Sequence, residues 1–234
     1  MKRLYQKAEP VERAGGHGIA LDGKPIKTPG KRDLIVPSAM LAAAIAEEWN
    51  AQHAEVRPAT MPLTRLATTA VDRIATQRDE IVRQVASYAA TDLVCYRATH
   101  PPTLAARQQA VWGPLIDWAV LRYDAPLAVT SGVIPKSQAT AALRAFSSAV
   151  AEQETFALTA LHLATAACGS LIIALALLEG HVDAPQAFAA SQLDESFQIE
   201  GWGEDPEQAE RRRALAGDIE AAAKFISLLR PSRS

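Results

Sequence analysis

Short apolar runs alternate with turn-forming residues over residues 11–36. The turn-forming residues occur in three groups, Gly15-Gly16-His17-Gly18, Asp22-Gly23 and Pro29-Gly30. Asp-Gly between the apolar runs 19–21 and 24–26 predicts a β-hairpin, because glycine readily adopts the positive φ that tight hairpin turns need. The apolar run 34–36 ends this part of the chain. We therefore expect residues 11–36 to form β structure.

The hydrophobic period changes after residue 37. Leu41, Ile45 and Trp49 recur every four residues, which places them on one face of a helix, and Ser38 can cap its N-terminus. We predict that Trp49 is a structural residue that lies on the buried face of this helix and joins the first domain to the second.

Nearly all of the chain from residue 63 onward has helical periodicity. Further helices are expected at about 137–152, 156–178 and 185–199. Pro114 predicts a kink or a break in the helix that surrounds it. The last helix has the clearest start, because Asp205 can act as the N-cap with Pro206 at the first helical position. It should extend toward residue 229.

These elements predict an α+β fold with two parts. Residues 1–60 should form a small N-terminal domain with β-hairpins and one helix. Residues 61–234 should form a larger all-α domain, a helical bundle.

Residues 156–178 contain no charged side chain and are long enough to span a bilayer. Acidic residues flank the segment on both sides, whereas membrane helices usually have Lys or Arg on the cytoplasmic side. A helix that is apolar on every face can equally be the central helix of a soluble bundle. We therefore expect no membrane insertion.

Charge and cysteine content argue against several classes of function. The formal net charge of −2 gives no electrostatic drive toward nucleic acid. Cys95 and Cys168 are too few for a disulfide framework, which favours a reducing compartment. The five histidines lack the spacing of a helical metal site, and residues 15–18 lack the Walker lysine of a phosphate-binding loop. We expect neither a metal ion nor a cofactor.

The segment 194–205 is the part of the sequence that packing explains least. Its five acidic residues surround Phe197 and Trp202 at the junction of two helices. Asp205 is explained by its role as a helix cap. Because aromatic side chains supply contact energy and charges select the partner, this segment predicts a protein-binding surface. The predicted partner-binding residues are Asp194, Glu195, Gln198, Trp202 and Glu204.

The same carboxylates allow a second hypothesis, a small enzyme with an acidic site around Glu195. Paired carboxylates can perform acid–base chemistry, but no basic, nucleophilic or metal-binding residue accompanies them in this segment. A chaperone should bind its partner protein and turn over nothing, whereas an enzyme should bind a small ligand in a pocket near Glu195.

Several separate motifs, in order along nearly the whole chain, give it a specific resemblance. They are LDGKPIKTP at 21–29, IAEEWNAQ at 45–52, MPLT at 61–64, AVDR at 70–73, TDLVCYRA at 91–98, QAVWGPL at 109–115, GSL at 169–171, and the acidic tryptophan segment. On these motifs the chain resembles the assembly chaperones of F-type ATP synthase that act on the alpha subunit of its catalytic sector. It departs from their pattern at Leu4-Tyr5 and at Gly201, where a more aromatic start and a larger residue are expected.

The resemblance implies a chaperone and not an enzyme. Such a protein binds the unassembled alpha subunit, covers a surface later used by the beta subunit, and prevents aggregation of alpha until beta replaces it. The family's fold, a small β-containing domain joined to a helical one, agrees with the division inferred from periodicity. Mitochondrial members need a targeting segment, and this sequence begins almost directly with its β region. We therefore expect a bacterial cytoplasmic protein whose eukaryotic relatives act in the mitochondrial matrix.

Overall fold

The computed structural model describes residues 2–132 and 136–230 and begins with a small antiparallel sheet. Its strands are β1 (Ala8–Arg13), β2 (Gly16–Leu21), β3 (Lys24–Pro25) and β4 (Ile35–Val36). β1 pairs with one edge of β2 along its whole length, and both β3 and β4 pair with the other edge. Asp22 and Gly23 connect β2 to β3 with φ of 47° and 78°, the positive values of a tight hairpin turn. The predicted hairpin is therefore confirmed.

The Asn50 side chain covers part of the outer edge of β1. The Asn50 side chain accepts a hydrogen bond from the Ala8 backbone N–H at 2.7 Å and donates one to the Ala8 carbonyl at 2.8 Å. Two residues further along β1, Pro10 has no N–H to offer. These two features reduce the number of free donors on this edge, which makes it a poorer template for an added strand.

Helices make up most of the remaining described chain, which confirms the α+β class. They are α1 (Ala39–Asn50), α2 (Pro62–Thr69), α3 (Arg78–Ser87), α4 (Pro102–Tyr123), α5 (Thr140–Ala151), α6 (Thr155–Cys168), α7 (Leu171–Glu179), α8 (Ala184–Ser191), α9 (Leu193–Trp202) and α10 (Pro206–Leu229). Two short strands, β5 (Tyr96–Arg97) and β6 (Thr130–Ser131), pair in parallel. A π-helical turn, Ala70–Ile74, follows α2.

Both predicted N-caps are confirmed. Ser38 Oγ accepts from the Leu41 N–H at 3.4 Å, and Asp205 Oδ1 accepts from the Gln208 N–H at 2.8 Å. Trp49 is only half-buried, and its ring packs edge-on against Tyr5 with centroids 5.7 Å apart. Its role in joining two domains stays a prediction.

The prediction of a single helix over residues 156–178 is wrong. Gly169, with φ of 63°, ends α6, and Ser170 is extended and caps α7. The helix therefore breaks where a left-handed backbone and an N-cap hydroxyl coincide. Within the part of the chain that the structure describes, no helix is both long enough and apolar enough to cross a membrane.

One further helix prediction is also wrong, and another is excluded only in part. Residues 185–199 do not form one helix, because α8 ends at Ser191 and α9 begins at Leu193. At Pro114 the sequence predicts a kink or a break; α4 continues through this residue without a break, with Trp112 and Leu115 buried on either side, and the kink stays a prediction. Tertiary packing outweighs the local preference at this proline.

The chain folds into two compact units. The first comprises Met1–Arg78, Glu154–Ala160 and Lys224–Ser234, and its sheet packs on α1. The second comprises Asp79–Gln153 and Leu161–Ala223, and α7 is its most apolar helix. The first unit extends past residue 60 and includes α2. The domain boundary expected at residue 60 stays a prediction.

A buried carboxylate fixes the start of α7. Asp92 has no exposed surface, and its Oδ1 accepts from Ser170 Oγ at 2.6 Å. Its Oδ2 accepts from the backbone N–H groups of Leu171 at 2.8 Å and Ile172 at 3.1 Å. The first N–H groups of a helix have no partner inside the helix, and residues 171–177 of α7 are buried. Asp92 thus supplies the hydrogen-bond acceptors that water would otherwise provide for these buried N–H groups.

We expect Asp92→Ala to destabilise the second unit strongly. The substitution leaves the Ser170 hydroxyl without its acceptor and two buried N–H groups unsatisfied, which should cost about 3 kcal/mol or more of unfolding free energy. Urea denaturation followed by circular dichroism measures this loss. An unchanged midpoint would show that water or another side chain replaces the carboxylate.

The isosteric variant Asp92→Asn tests the charge. Burial raises the pKa of Asp92 to about 6, although its hydrogen bonds to Ser170 and to the start of α7 lower it. Between about pH 4 and 6 the folded protein therefore holds a proton that the unfolded chain has released. The contribution of Asp92 to stability should fall as pH rises through this window and stay constant above it. Unfolding free energies of wild type relative to Asp92→Asn, measured from pH 4 to 7, should show this decline.

Candidate functional site

The acidic segment 194–205 forms α9, the residues that end it, and the cap of α10. Leu193 is buried at the start of the helix, and Gly203, with φ of 85°, follows its last residue. Asp205 then begins α10, as its capping contact shows. The junction of two helices that the sequence predicted is therefore present.

Two consecutive residues of α4 hold α9 along one side. Arg107 forms two parallel hydrogen bonds to the Glu200 carboxylate, at 2.7 and 2.9 Å, and its guanidinium lies over the Phe197 ring at 5.5 Å from the centroid. Gln108 donates to Asp194 Oδ1 at 2.8 Å. Arg107 also lowers the pKa of Glu200 through this contact. Asp194 and Glu200 are thus engaged within the chain.

An arginine of α10 holds the other side. Arg212 pairs with Glu204 at 3.2 Å and donates to Ser196 Oγ at 3.1 Å. Its guanidinium also lies over the Phe188 ring, 5.4 Å from the centroid. The Arg212 side chain is largely buried, so this ion pair is less screened than an exposed one. Glu204, a predicted partner-binding residue, therefore has an intramolecular partner.

The remaining face of α9 consists of Glu195, Gln198, Ile199 and Trp202. A helical period of 3.6 residues places these four on one side, away from the positions that α4 holds. Among the residues that the structure describes, none forms a hydrogen bond or an ion pair with the Glu195 carboxylate, which is half-buried. Trp202 is 87% exposed. We call these four residues the α9 face.

The α9 face combines charged, polar and apolar groups. It offers one carboxylate, one amide, one aliphatic group and one aromatic ring. Within the described ranges of the chain, no group of three or more His, Cys, Asp or Glu side chains is placed to hold a metal ion.

Both cysteines are unsuited to nucleophilic chemistry. Cys95 and Cys168 are buried, and burial raises the pKa of each thiol to about 12. A thiol attacks as its thiolate, which is scarce at neutral pH when the pKa is this high.

Sequence reasoning missed the residues that shape this site. Arg107 and Gln108 lie 93 and 86 residues before their partners on α9. Nothing in the local sequence of α4 marks either one, because an arginine or glutamine on a helix is ordinarily solvated. Arg212 was missed for the same reason.

Comparison with known proteins gives a family match. The family model described as ATP12 chaperone protein matches residues 2–120. The mitochondrial protein atp12 of Schizosaccharomyces pombe is 24% identical over 214 residues, which cover 86% of this chain and 74% of that protein. The crystal structure of Atp12 from Paracoccus denitrificans superposes with a TM-score of 0.95 at 40% identity and covers 98% of both chains. A structure from Agrobacterium tumefaciens superposes with a TM-score of 0.92 at 39% identity, covering 98% of this chain and 86% of that one.

One exposed and one buried tryptophan allow a matched test of whether Trp202 contributes to folding. Trp202→Ala should leave the melting temperature nearly unchanged, because its ring is 87% exposed and little apolar area is lost on truncation. Trp112→Ala should lower the unfolding free energy by about 3–5 kcal/mol, since Trp112 is 1% exposed and donates to the Ala190 carbonyl at 2.8 Å. Thermal denaturation of both variants checks the contrast. A large loss for Trp202→Ala would mean that the ring is packed in solution.

Proposed function

The chain belongs to the ATP12 chaperone family of ATP synthase assembly, and we propose that it binds the unassembled alpha subunit of F-type ATP synthase. It covers a surface of alpha that the beta subunit later occupies, and so prevents aggregation of alpha until beta replaces it. The protein acts in the bacterial cytoplasm. It holds its client and performs no chemistry on it.

The observation that supports this proposal best is the uncompensated α9 face. Of the acidic residues in segment 194–205, Asp194, Glu200 and Glu204 have intramolecular partners and Asp205 caps α10. Glu195 alone has no such role within the described residues. It lies on the same helical face as an almost fully exposed tryptophan. A charge that selects the partner beside an aromatic that supplies contact area is the composition of an interface hot spot.

Charge complementarity points to a basic patch on the client. The second unit contains nine Lys and Arg against seventeen Asp and Glu, a net charge of −8. This field attracts a basic protein surface over a range of about 10 Å at moderate salt. Glu195 would then pair with a Lys or Arg of the alpha subunit.

The proposal predicts that Glu195→Lys disrupts client binding without disrupting the fold. Reversing a charge at a recognition pair should weaken capture of the alpha subunit by at least ~2 kcal/mol. Circular dichroism and melting temperature should stay at wild-type values, because the carboxylate has no intramolecular partner to lose. Titration of purified alpha subunit by calorimetry or surface binding measures the effect. Glu195→Gln should weaken capture less, and raised salt should narrow the difference.

Glu220→Lys is the matched control. Glu220 is exposed on α10 in the same unit, so this variant changes the net charge by the same amount. It should bind alpha almost as tightly as wild type. If Glu195→Lys also binds like wild type at low salt, the α9 face is a structural junction and the interface lies elsewhere.

A further inference from the structure

A tightly braced loop, residues 27–33, lies beside the π-helical turn in the first unit. Asp72 accepts from Thr28 Oγ1 at 2.7 Å and from the Gly30 N–H at 2.8 Å. Thr28 and Arg32 are joined again through the Thr28 N–H and the Arg32 carbonyl, 2.9 Å apart. At Gly30 an added Cβ would lie 2.5 Å from Asp72 Oδ1, so only glycine permits this approach. We call residues 27–33 the basic loop.

The basic loop presents Lys31 in an unusual conformation. Its φ of 62° is in the left-handed region, which glycine occupies without strain and lysine does not. Its side chain is exposed. Strained backbone that the surrounding contacts enforce is found more often at functional sites than elsewhere, and the same holds for π-helical turns such as the one that contains Asp72.

Positive charge in this region is only partly compensated. Lys27 lies 3.6 Å from Asp33, and Arg32 lies 3.6 Å from Asp72. Lys31 and Arg73, both exposed, have no ion pair with any described residue. The first unit as a whole contains fifteen Lys and Arg against nine Asp and Glu, a net charge of +6. This sign is opposite to that of the second unit.

We propose that the basic loop and Arg73 bind an acidic segment of a protein. That this segment belongs to the alpha subunit rests on the proposed function. The unpaired Lys31 of the braced loop, together with the unpaired Arg73 of the π-helical turn, fits a short run of carboxylates, because bracing removes most of the ordering cost of binding. A nucleic acid or an anionic membrane fits less well, since extended polyanions are bound through many cationic contacts and, among the described residues of the loop and the π-helical turn, only Lys31 and Arg73 are unpaired.

The client would then be held by two contacts of opposite sign. The α9 face selects a basic patch, and the basic loop selects an acidic one. A wrong partner with a single sign of charge would be attracted by one unit and repelled by the other, which increases specificity without a large apolar interface.

The first test uses a probe that does not involve the alpha subunit. A capped peptide of alternating glutamate and serine is titrated into the whole isotope-labelled chain, with the glutamine analogue as the control peptide. We expect the acidic peptide alone to shift the backbone amide NMR signals of residues 28–33 and 72–74. Lys31→Glu combined with Arg73→Glu should weaken this binding ~10-fold at low salt, and less as salt increases.

Three variants separate the loop from general charge and from folding. Lys24→Glu changes an exposed lysine of the same unit and should leave peptide binding unchanged. Lys31→Gly removes the charge and the strain together, so it should melt no lower than wild type and still bind the peptide more weakly. The double charge-reversal variant should also capture alpha more weakly than wild type by a similar factor.

The inference is overturned if the acidic peptide does not shift these amide signals, or if Lys24→Glu weakens peptide binding as much as the double variant does. It is also overturned if vesicles containing phosphatidylserine bind the loop and the peptide does not. Capture of alpha by the double variant at wild-type affinity overturns the role of the loop in client binding. Failure of the proposed function is distinguishable, because it appears as no capture of alpha by wild type, or as wild-type capture by Glu195→Lys. Neither result depends on the peptide titration.

Discussion

The helical unit depends on the hydrogen bonds that the Asp92 carboxylate accepts at the start of α7. Residues 171–177 of α7 are buried, so the N–H groups of its first turn must find acceptors inside the protein. Asp92 accepts from two of them and Ser170 accepts from the Ile173 N–H at 3.0 Å. This arrangement ties the residues before α4 to the most apolar helix of the unit. It also requires that the long uncharged stretch break at Gly169-Ser170.

The helices around α7 then determine which acidic residues are free. α4 packs on α7 and extends its Arg107 and Gln108 to α9. Arg212 of α10 holds Glu204. Once these contacts are made, the α9 face is what remains of the acidic segment, and its exposed tryptophan lies at the end of a helix that is fixed on two sides. A fixed helix loses little conformational freedom when it binds, which favours affinity.

The two units carry opposite net charge, although the chain as a whole is nearly neutral. Net charge alone therefore gives a misleading impression of an electrostatically indifferent protein. Opposite fields on one chain suit reversible binding of a protein partner, because charged contacts are screened by salt.

The sequence by itself determined the local features: the Asp22-Gly23 hairpin, the Ser38 and Asp205 caps, the helical character after residue 63 and the motifs of the family. Each depends on neighbouring residues, through turn geometry, capping or periodicity. Such preferences can be predicted from a short stretch of sequence. Only the tertiary structure decided that residues 156–178 are two helices, that α4 continues through Pro114, and that Asp194 and Glu204 have partners while Glu195 has none within the described residues. The break before α7 and the pairing of the acidic segment involve contacts of Asp92, Arg107, Gln108 and Arg212, whereas the continuity of α4 accompanies the burial of Trp112 and Leu115. For Asp92, Arg107 and Gln108 the partners lie roughly 80 to 90 residues away, and the partners of Arg212, although nearer in sequence, lie beyond one helical turn. A local sequence pattern does not predict a contact between residues that only folding brings together.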